Sequence, residues 1–168
     1  MKNEQLIIPD KQCFLPVNET TGELLYTDIQ TFNKLIMTPP KAAWIKTNKY
    51  SDNAKYLPIR IVEELLTKIF PFWEVQQVGE PKILGNSVVI SVNLRVYNPI
   101  INQWLNYAGV GAVPIELEKG SDPTDFTKIK PKALHKNVPA ALSFAVNNAA
   151  KKIGRIFGSH LNSNETIG

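Results

Sequence analysis

Val88, Ile90, Val92, Leu94 and Val96 alternate with Ser91, Asn93, Arg95 and Tyr97. A period of two over residues 87–97 predicts a strand with one buried and one open face. Asn98-Pro99 turns the chain, and Gln103 to Val113 returns as a further strand that ends in Gly109-Val110-Gly111. Phe72 to Val78 precedes both as a first strand and is expected to reach toward Leu84. Two helices bracket these strands. Ile59, Val62, Leu65, Leu66 and Ile69 recur at helical spacing, with Pro58 tolerated in the first turn and Pro71 as a stop. Val138, Ala141, Leu142, Ala145, Ala149, Ile153, Ile156 and Phe157 mark a long final helix that Gly158 would cap.

The N-terminal third carries weaker signals. Cys13 to Val17 and Glu23 to Tyr26 flank a polar turn from Asn18 to Gly22, which predicts a short strand pair. Asp28 caps a brief helix through Met37, and Pro39-Pro40 ends it. Lys41 to Lys55 reads as irregular and basic, and Glu116 to Lys136 as a polar connection. The expected class is α+β: an α-β-β-β-α order with an antiparallel sheet packed on a long C-terminal helix, plus an N-terminal hairpin and short helix. We divide this single domain into an appendage (residues 1–55), a core (56–160) and a tail (161–168).

Bulk properties narrow the class. The 168 residues are 43% hydrophobic and 20% charged, as in an ordinary globular domain. No apolar run is long enough for a membrane span, and the three apolar residues before Pro9 are too few for a signal-peptide core. One cysteine, Cys13, fits a reducing compartment. A cytoplasmic location and no membrane partner are the expectations.

Charge adds more. The net charge is +4, but from Phe126 onward seven cations face a single carboxylate, Glu165. That segment therefore holds +6 and the rest of the chain −2. The imbalance points to a polyanionic partner. Lys128 to Lys136 read as a flexible basic approach, whereas Lys151, Lys152 and Arg155 fall outside the apolar stripe at i+3 and i+4 spacing. Three cations within a turn repel one another unless an anion compensates them, although the helix dipole also favours cations there. A second basic stretch, Lys41 to Arg60, carries only Asp52 as an acid and interleaves Trp44, Tyr50 and Tyr56. Cations in a row neutralise phosphates, and nearby aromatics stack on unpaired bases. The same aromatics also serve as packing residues. Arg95 either contacts a phosphate or pairs with a neighbouring carboxylate.

Catalytic signatures are sparse. There is no phosphate-binding G-x-x-x-x-G-K-[ST] loop, and His135, His160 and Cys13 lack zinc spacing. Glu80-Pro81-Lys82 with Asp10 mimics part of a nuclease motif, but Pro81 is poor in a central strand. We therefore expect a non-enzymatic protein without cofactor or metal.

The stretch Ala145 to Gly158, AVNNAAKKIGRIFG, resembles the final core helix of Rad-fifty-two-type single-strand annealing proteins. The shared features are an Ala-Val start, a basic pair, a further Arg and a closing Phe-Gly. Lys152 replaces the family's Arg, and Gly154 stands where a larger residue is usual. Ala108 to Gly111 resembles the family's Gly-aromatic-Gly strand end, and Tyr56 to Phe70 followed by Trp73 its opening helix. The resemblance covers about 100 of 168 residues. It implies a β-β-β-α core assembling into homo-oligomeric rings or helical filaments, with a basic groove that grips single-stranded DNA by its backbone. Complementary strands would then anneal without ATP, in phage or bacterial recombination and repair.

Carried over residue by residue, Lys151 and Lys152 would line that groove, and Arg60 is the nearest match to a first-helix arginine. Lys130 and Lys132 lie where the family has lysines entering the last helix. Lys136, Lys55, Arg95 and Arg155 complete the candidate DNA-binding set. A phage or bacterial member, acting in a bacterial host cell beside a host single-strand-binding protein or exonuclease, is expected. The alternatives are a double-stranded RNA-binding module, which shares the α-β-β-β-α order, a metal-dependent nuclease, and a scaffold for an acidic protein.

Overall fold

The alternating apolar run becomes β5 (Ser87–Asn98), the central strand of an antiparallel sheet in the computed structural model, which describes residues 15–48 and 52–163. Asp10, Cys13, Tyr50 and Glu165, named above, lie outside the described residues. Val88, Ile90, Val92, Leu94 and Val96 are each at most 2% exposed, whereas their odd-numbered neighbours are only half-buried. Burying side chains of this size contributes about 1.5–3 kcal/mol each. Strand β6 (Gln103–Pro114) pairs with β5 along its whole length, from Ser87 opposite Pro114 to Asn98 opposite Gln103. The other edge of β5 is shared end to end by β3 (Trp73–Gln77) and β4 (Lys82–Leu84). The expected first strand is thus broken by a turn at Gly79 (φ +73°). Glu80 and Pro81 fall in that break rather than in a central strand.

Helix α2 (Ile59–Ile69) begins one residue after Pro58 and buries Ile61, Val62, Leu65, Leu66 and Ile69. Ile61 takes the inward place that Ile59 was expected to hold; Ile59 packs only at the core's margin. Helix α3 (Ala133–Lys151) covers the β5–β6 face. Its contact is built from absent side chains. Ala141, Ala145 and Ala149, four residues apart, lie over Gly109 and Gly111 of β6. A Cβ on Gly109 would come 2.1 Å from the Ala145 carbonyl oxygen, and one on Gly111 2.0 Å from that of Ala141. Only glycine admits a helix backbone this close. Asn148 Nδ2 donates to the Val110 carbonyl (2.8 Å) and Lys152 Nζ to that of Ala108 (2.6 Å), so helix and strand are also stitched along β6.

The final helix does not run through to Phe157. It stops at Lys151, and Gly154 is fully extended (φ 168°, ψ −179°) before a short 3-10 turn at Arg155–Phe157. A Cβ at residue 154 would lie 2.5 Å from the Ile36 carbonyl oxygen, so α1 (Ile29–Ile36) occupies the space a continuing side chain needs. Glycine's low helix propensity makes the break inexpensive. Ile153, Ile156 and Phe157 are buried as expected, but beyond the helix; Val138 and Leu142, assigned to the stripe, are only partly buried.

Asp28 caps α1 through the Gln30 and Thr31 amides, and Met37 closes it. Of the expected N-terminal strand pair, the described residues show one bridge, Val17 opposite Leu24; its first two residues, 13 and 14, lie outside them. Lys41 to Lys55, expected to be irregular, holds a 3-10 turn (Ala42–Trp44) and a small hairpin of β1 (Lys46–Asn48) and β2 (Ala54–Tyr56). Asp52 and Asn53 take left-handed φ values of 45° and 56°, which these residue types tolerate. In the polar connection, Leu117 bridges Ile129, and the Lys130 amide donates to the Glu116 carbonyl, so the basic approach is tied down at Lys128–Lys130. Among the described residues no helix is long and apolar enough to cross a membrane.

Candidate nucleic-acid interface

Two segments nearly a hundred residues apart form one cleft. The β1–β2 hairpin supplies Lys55 and Tyr56, and the last two turns of α3 supply Phe144, Asn147, Asn148 and Lys151. The space between them is about 540 Å³, and among the described residues its lining contains no carboxylate. Leu57, Val62 and Phe157, all buried, form an apolar floor. Tyr56 and Phe144 are 37% and 45% exposed, so their rings are open to a ligand.

The hairpin is held in place from the far end of the chain. Asn162 Oδ1 accepts from the Lys55 amide (2.7 Å), and Asn162 Nδ2 donates to the Lys55 carbonyl (2.8 Å). One carboxamide thus replaces a missing strand neighbour, and residue 162 belongs to the fold although it falls in the expected tail. On α3, Asn147 Nδ2 donates to the Leu57 carbonyl (3.2 Å), which ties the helix to the segment entering α2. The Asn147 Oδ1 is buried and accepts no hydrogen bond.

The remaining candidates scatter. Lys152 is exposed, with one ammonium donor on the Ala108 carbonyl. Arg155 is exposed on the 3-10 turn, and the helix break at Gly154 removes its expected neighbour relation to Lys151 and Lys152. Lys132 and Lys136 sit at the opposite end of α3, about 28 and 22 Å along the axis from Lys151. Lys130 pairs with Glu116 at 3.5 Å. Arg60 pairs with Glu64 at 2.7 Å across one helical turn, in a separate hollow beside Glu19 and Glu63. Arg95 resolves toward the carboxylate alternative. It binds Glu74 on the open sheet face and lies 4.9 Å from the Trp104 ring centroid, in a row where Tyr97 bridges Phe72 and Trp104. Trp44 is partly buried against the core with Lys41 over its ring.

The cleft residues missed in the sequence are amides and one aromatic. Asn147-Asn148 was a visible signal, since two adjacent asparagines are poor residues for a helix interior. Nothing local marked Phe144 or Asn162.

Among the described residues no three His, Cys, Asp or Glu side chains come close enough to hold a metal ion. The α3 C-terminus carries the negative end of the helix dipole, so any attraction for an anion in the cleft comes from the lysines.

The fold and site together define a mixed α+β domain with a helix-covered antiparallel sheet and a basic, aromatic-walled cleft at one end. No protein-family model matches the sequence, and no curated protein matches it.

Proposed function

We propose that the protein binds single-stranded DNA and anneals complementary strands without nucleotide hydrolysis. The observation that carries this reading is the meeting of Lys55 and Lys151 in a cleft whose lining, among the described residues, holds no acid. Two lysines brought together by folding attract successive phosphates of one strand. Exposed Tyr56 and Phe144 offer surfaces suited to unpaired bases and of little use to a closed duplex. The α2-β3/β4-β5-β6-α3 order agrees with the core implied by the resemblance to the Rad-fifty-two-type annealing proteins. Rings or helical filaments of the protein would extend the cleft into a continuous track, and base pairing itself would drive product formation.

A fluorescence strand-annealing assay without ATP or metal tests the reading. Wild type should accelerate annealing, and Lys55→Ala/Lys151→Ala should lose most of the acceleration. Removing two phosphate contacts should also flatten the salt dependence of single-strand affinity by about 1.4 in log–log slope. Rings or filaments in electron micrographs are expected of the wild type.

A double-stranded RNA-binding module is favoured by one observation. Lys132 and Lys136 flank the start of α3, where such a module straddles the major groove. Preference for duplex RNA over single-stranded DNA, lost on Lys132→Ala/Lys136→Ala, would establish that reading and sink the annealing one.

A further inference from the structure

We infer that the cleft takes in one nucleobase of the bound strand, so that the protein grips a whole nucleotide rather than the phosphate backbone alone. The inference rests on the single-strand reading and adds to it a base-binding site.

A purely backbone-holding groove needs cations and water. This cleft has a different make-up. Its floor is Leu57, Val62 and Phe157, side chains against which a phosphate would lose its hydration without compensation. Its volume of about 540 Å³ lies in the range of sites that enclose a small molecule. Tyr56 stands on the hairpin side and Phe144 on the helix side, so a planar group entering between the two elements meets aromatic surface. Lys55 and Lys151 belong to the same lining and can hold the attached phosphate.

The polar groups select the body of the ligand. Asn147 uses its amide nitrogen on the Leu57 carbonyl, which leaves Oδ1 as a buried acceptor with no donor. Asn148 likewise uses its nitrogen on the Val110 carbonyl. Asn147 Oδ1 is closed off from solvent, so the amide oxygen of the exposed Asn148 is the acceptor left to an N–H donor in the cleft. Adenine, cytosine, guanine and thymine each carry at least one N–H on the pairing edge. A planar aromatic ring bearing N–H groups and joined to a phosphate is a nucleotide. Because all four bases satisfy one acceptor, the site reads the presence of a base and leaves its identity open. That suits a protein that must act on any sequence. The withdrawn base would be unavailable for pairing until released, so each cleft would mark one position along the track.

Oligonucleotides of equal length separate base from backbone. The full chain is titrated by calorimetry with mixed-sequence single-stranded DNA and with an otherwise identical strand of tetrahydrofuran abasic residues. The abasic strand should bind about tenfold more weakly or worse. Tyr56→Leu, and independently Phe144→Ala, should each weaken the intact strand toward the abasic value without changing the salt slope. Lys151→Ala should lower the slope for both strands. A 2-aminopurine in the intact strand should lose fluorescence on binding wild type and keep it on binding Tyr56→Leu. Circular dichroism confirms that each variant is folded, and either aromatic variant alone suffices. Equal affinity for the two strands overturns the base site while leaving the backbone grip standing. Binding of neither strand overturns the single-strand reading itself, and the base site with it.

Discussion

Replacing Gly109 with alanine should damage the fold by driving a methyl group into the backbone of α3, as the same change at Gly111 should. The new Cβ would sit 2.1 Å from the Ala145 carbonyl oxygen, 2.7 Å from the Ala149 amide nitrogen and 2.8 Å from the Ala149 Cβ. Two of these three atoms are helix backbone, so no rotamer change relieves the contact. A relaxed carbon–oxygen contact needs about 3.3 Å, so α3 must retreat by roughly 1 Å or the strand must bend. Retreat thins the contact along Ala141, Ala145 and Ala149 and lengthens the Asn148–Val110 and Lys152–Ala108 hydrogen bonds (2.8 and 2.6 Å). Overpacking of this kind costs about 1–3 kcal/mol, and losing the two hydrogen bonds adds about 1 kcal/mol or more. The expected loss is about 3 kcal/mol, or roughly 6–12 °C in melting temperature for a domain of this size. Urea denaturation followed by tryptophan fluorescence measures it. Gly85→Ala is a fitting comparison, since nothing lies within 4 Å of a Cβ there and only its φ of +58° opposes the change. A Gly109→Ala loss within about 0.5 kcal/mol would refute the idea that close helix–strand approach depends on the missing side chain.

Other substitutions probe single links. Lys152→Ala should reduce stability by about 0.5–1.5 kcal/mol through the Ala108 carbonyl contact, while Lys151→Ala should reduce single-strand affinity and leave the unfolding midpoint unchanged. Paired chemical denaturation and binding titrations distinguish the two, and the opposite assignment would show that Lys152 is the phosphate contact. Tyr26 is 1% exposed and donates to the Ile69 carbonyl at 2.6 Å, so Tyr26→Phe should cost about 1–2 kcal/mol in thermal unfolding. Burial raises the Tyr26 pKa, so the neutral phenol stabilises the fold below the ordinary tyrosine range and the benefit is lost as pH rises. Asp28 is shifted the other way, chiefly by the Thr31 amide that donates to it. Its contribution is present above the ordinary aspartate range and lost as pH falls through the depressed value, so Asp28→Asn should flatten the acid side of the stability profile. Arg95→Ala should change stability by less than about 1 kcal/mol, as the Glu74 pair lies on an open face.

Elements with a strict period were legible along the chain. β5, α1 and α2 came out within a residue or two of their expected bounds, because burial of one face imposes a repeat that the sequence must carry. The β1–β2 hairpin was not legible. Lys46 to Tyr56 has no apolar alternation, and its pairing depends on a turn at Asp52-Asn53 and on the side chain of Asn162. The end of α3 was misjudged for a related reason. Ile153, Ile156 and Phe157 continue a helical spacing, yet they are buried by a turn that α1 forces at Gly154. The basic trio split accordingly.

By itself, the sequence determined the mixed α+β class with a final helix on an antiparallel sheet, the buried face of β5, and the excess of cations in the last third. Periodicity and charge are local or additive properties, so they survive without coordinates. Only the tertiary structure decided which cations share a site. Lys55 and Lys151 meet in one cleft, Arg60, Lys130 and Arg95 turn to carboxylates, and Lys132 and Lys136 stand a helix length away. The place of Lys151 over the sheet depends on how close α3 lies to β6, and that closeness is set by two missing side chains, at Gly109 and Gly111.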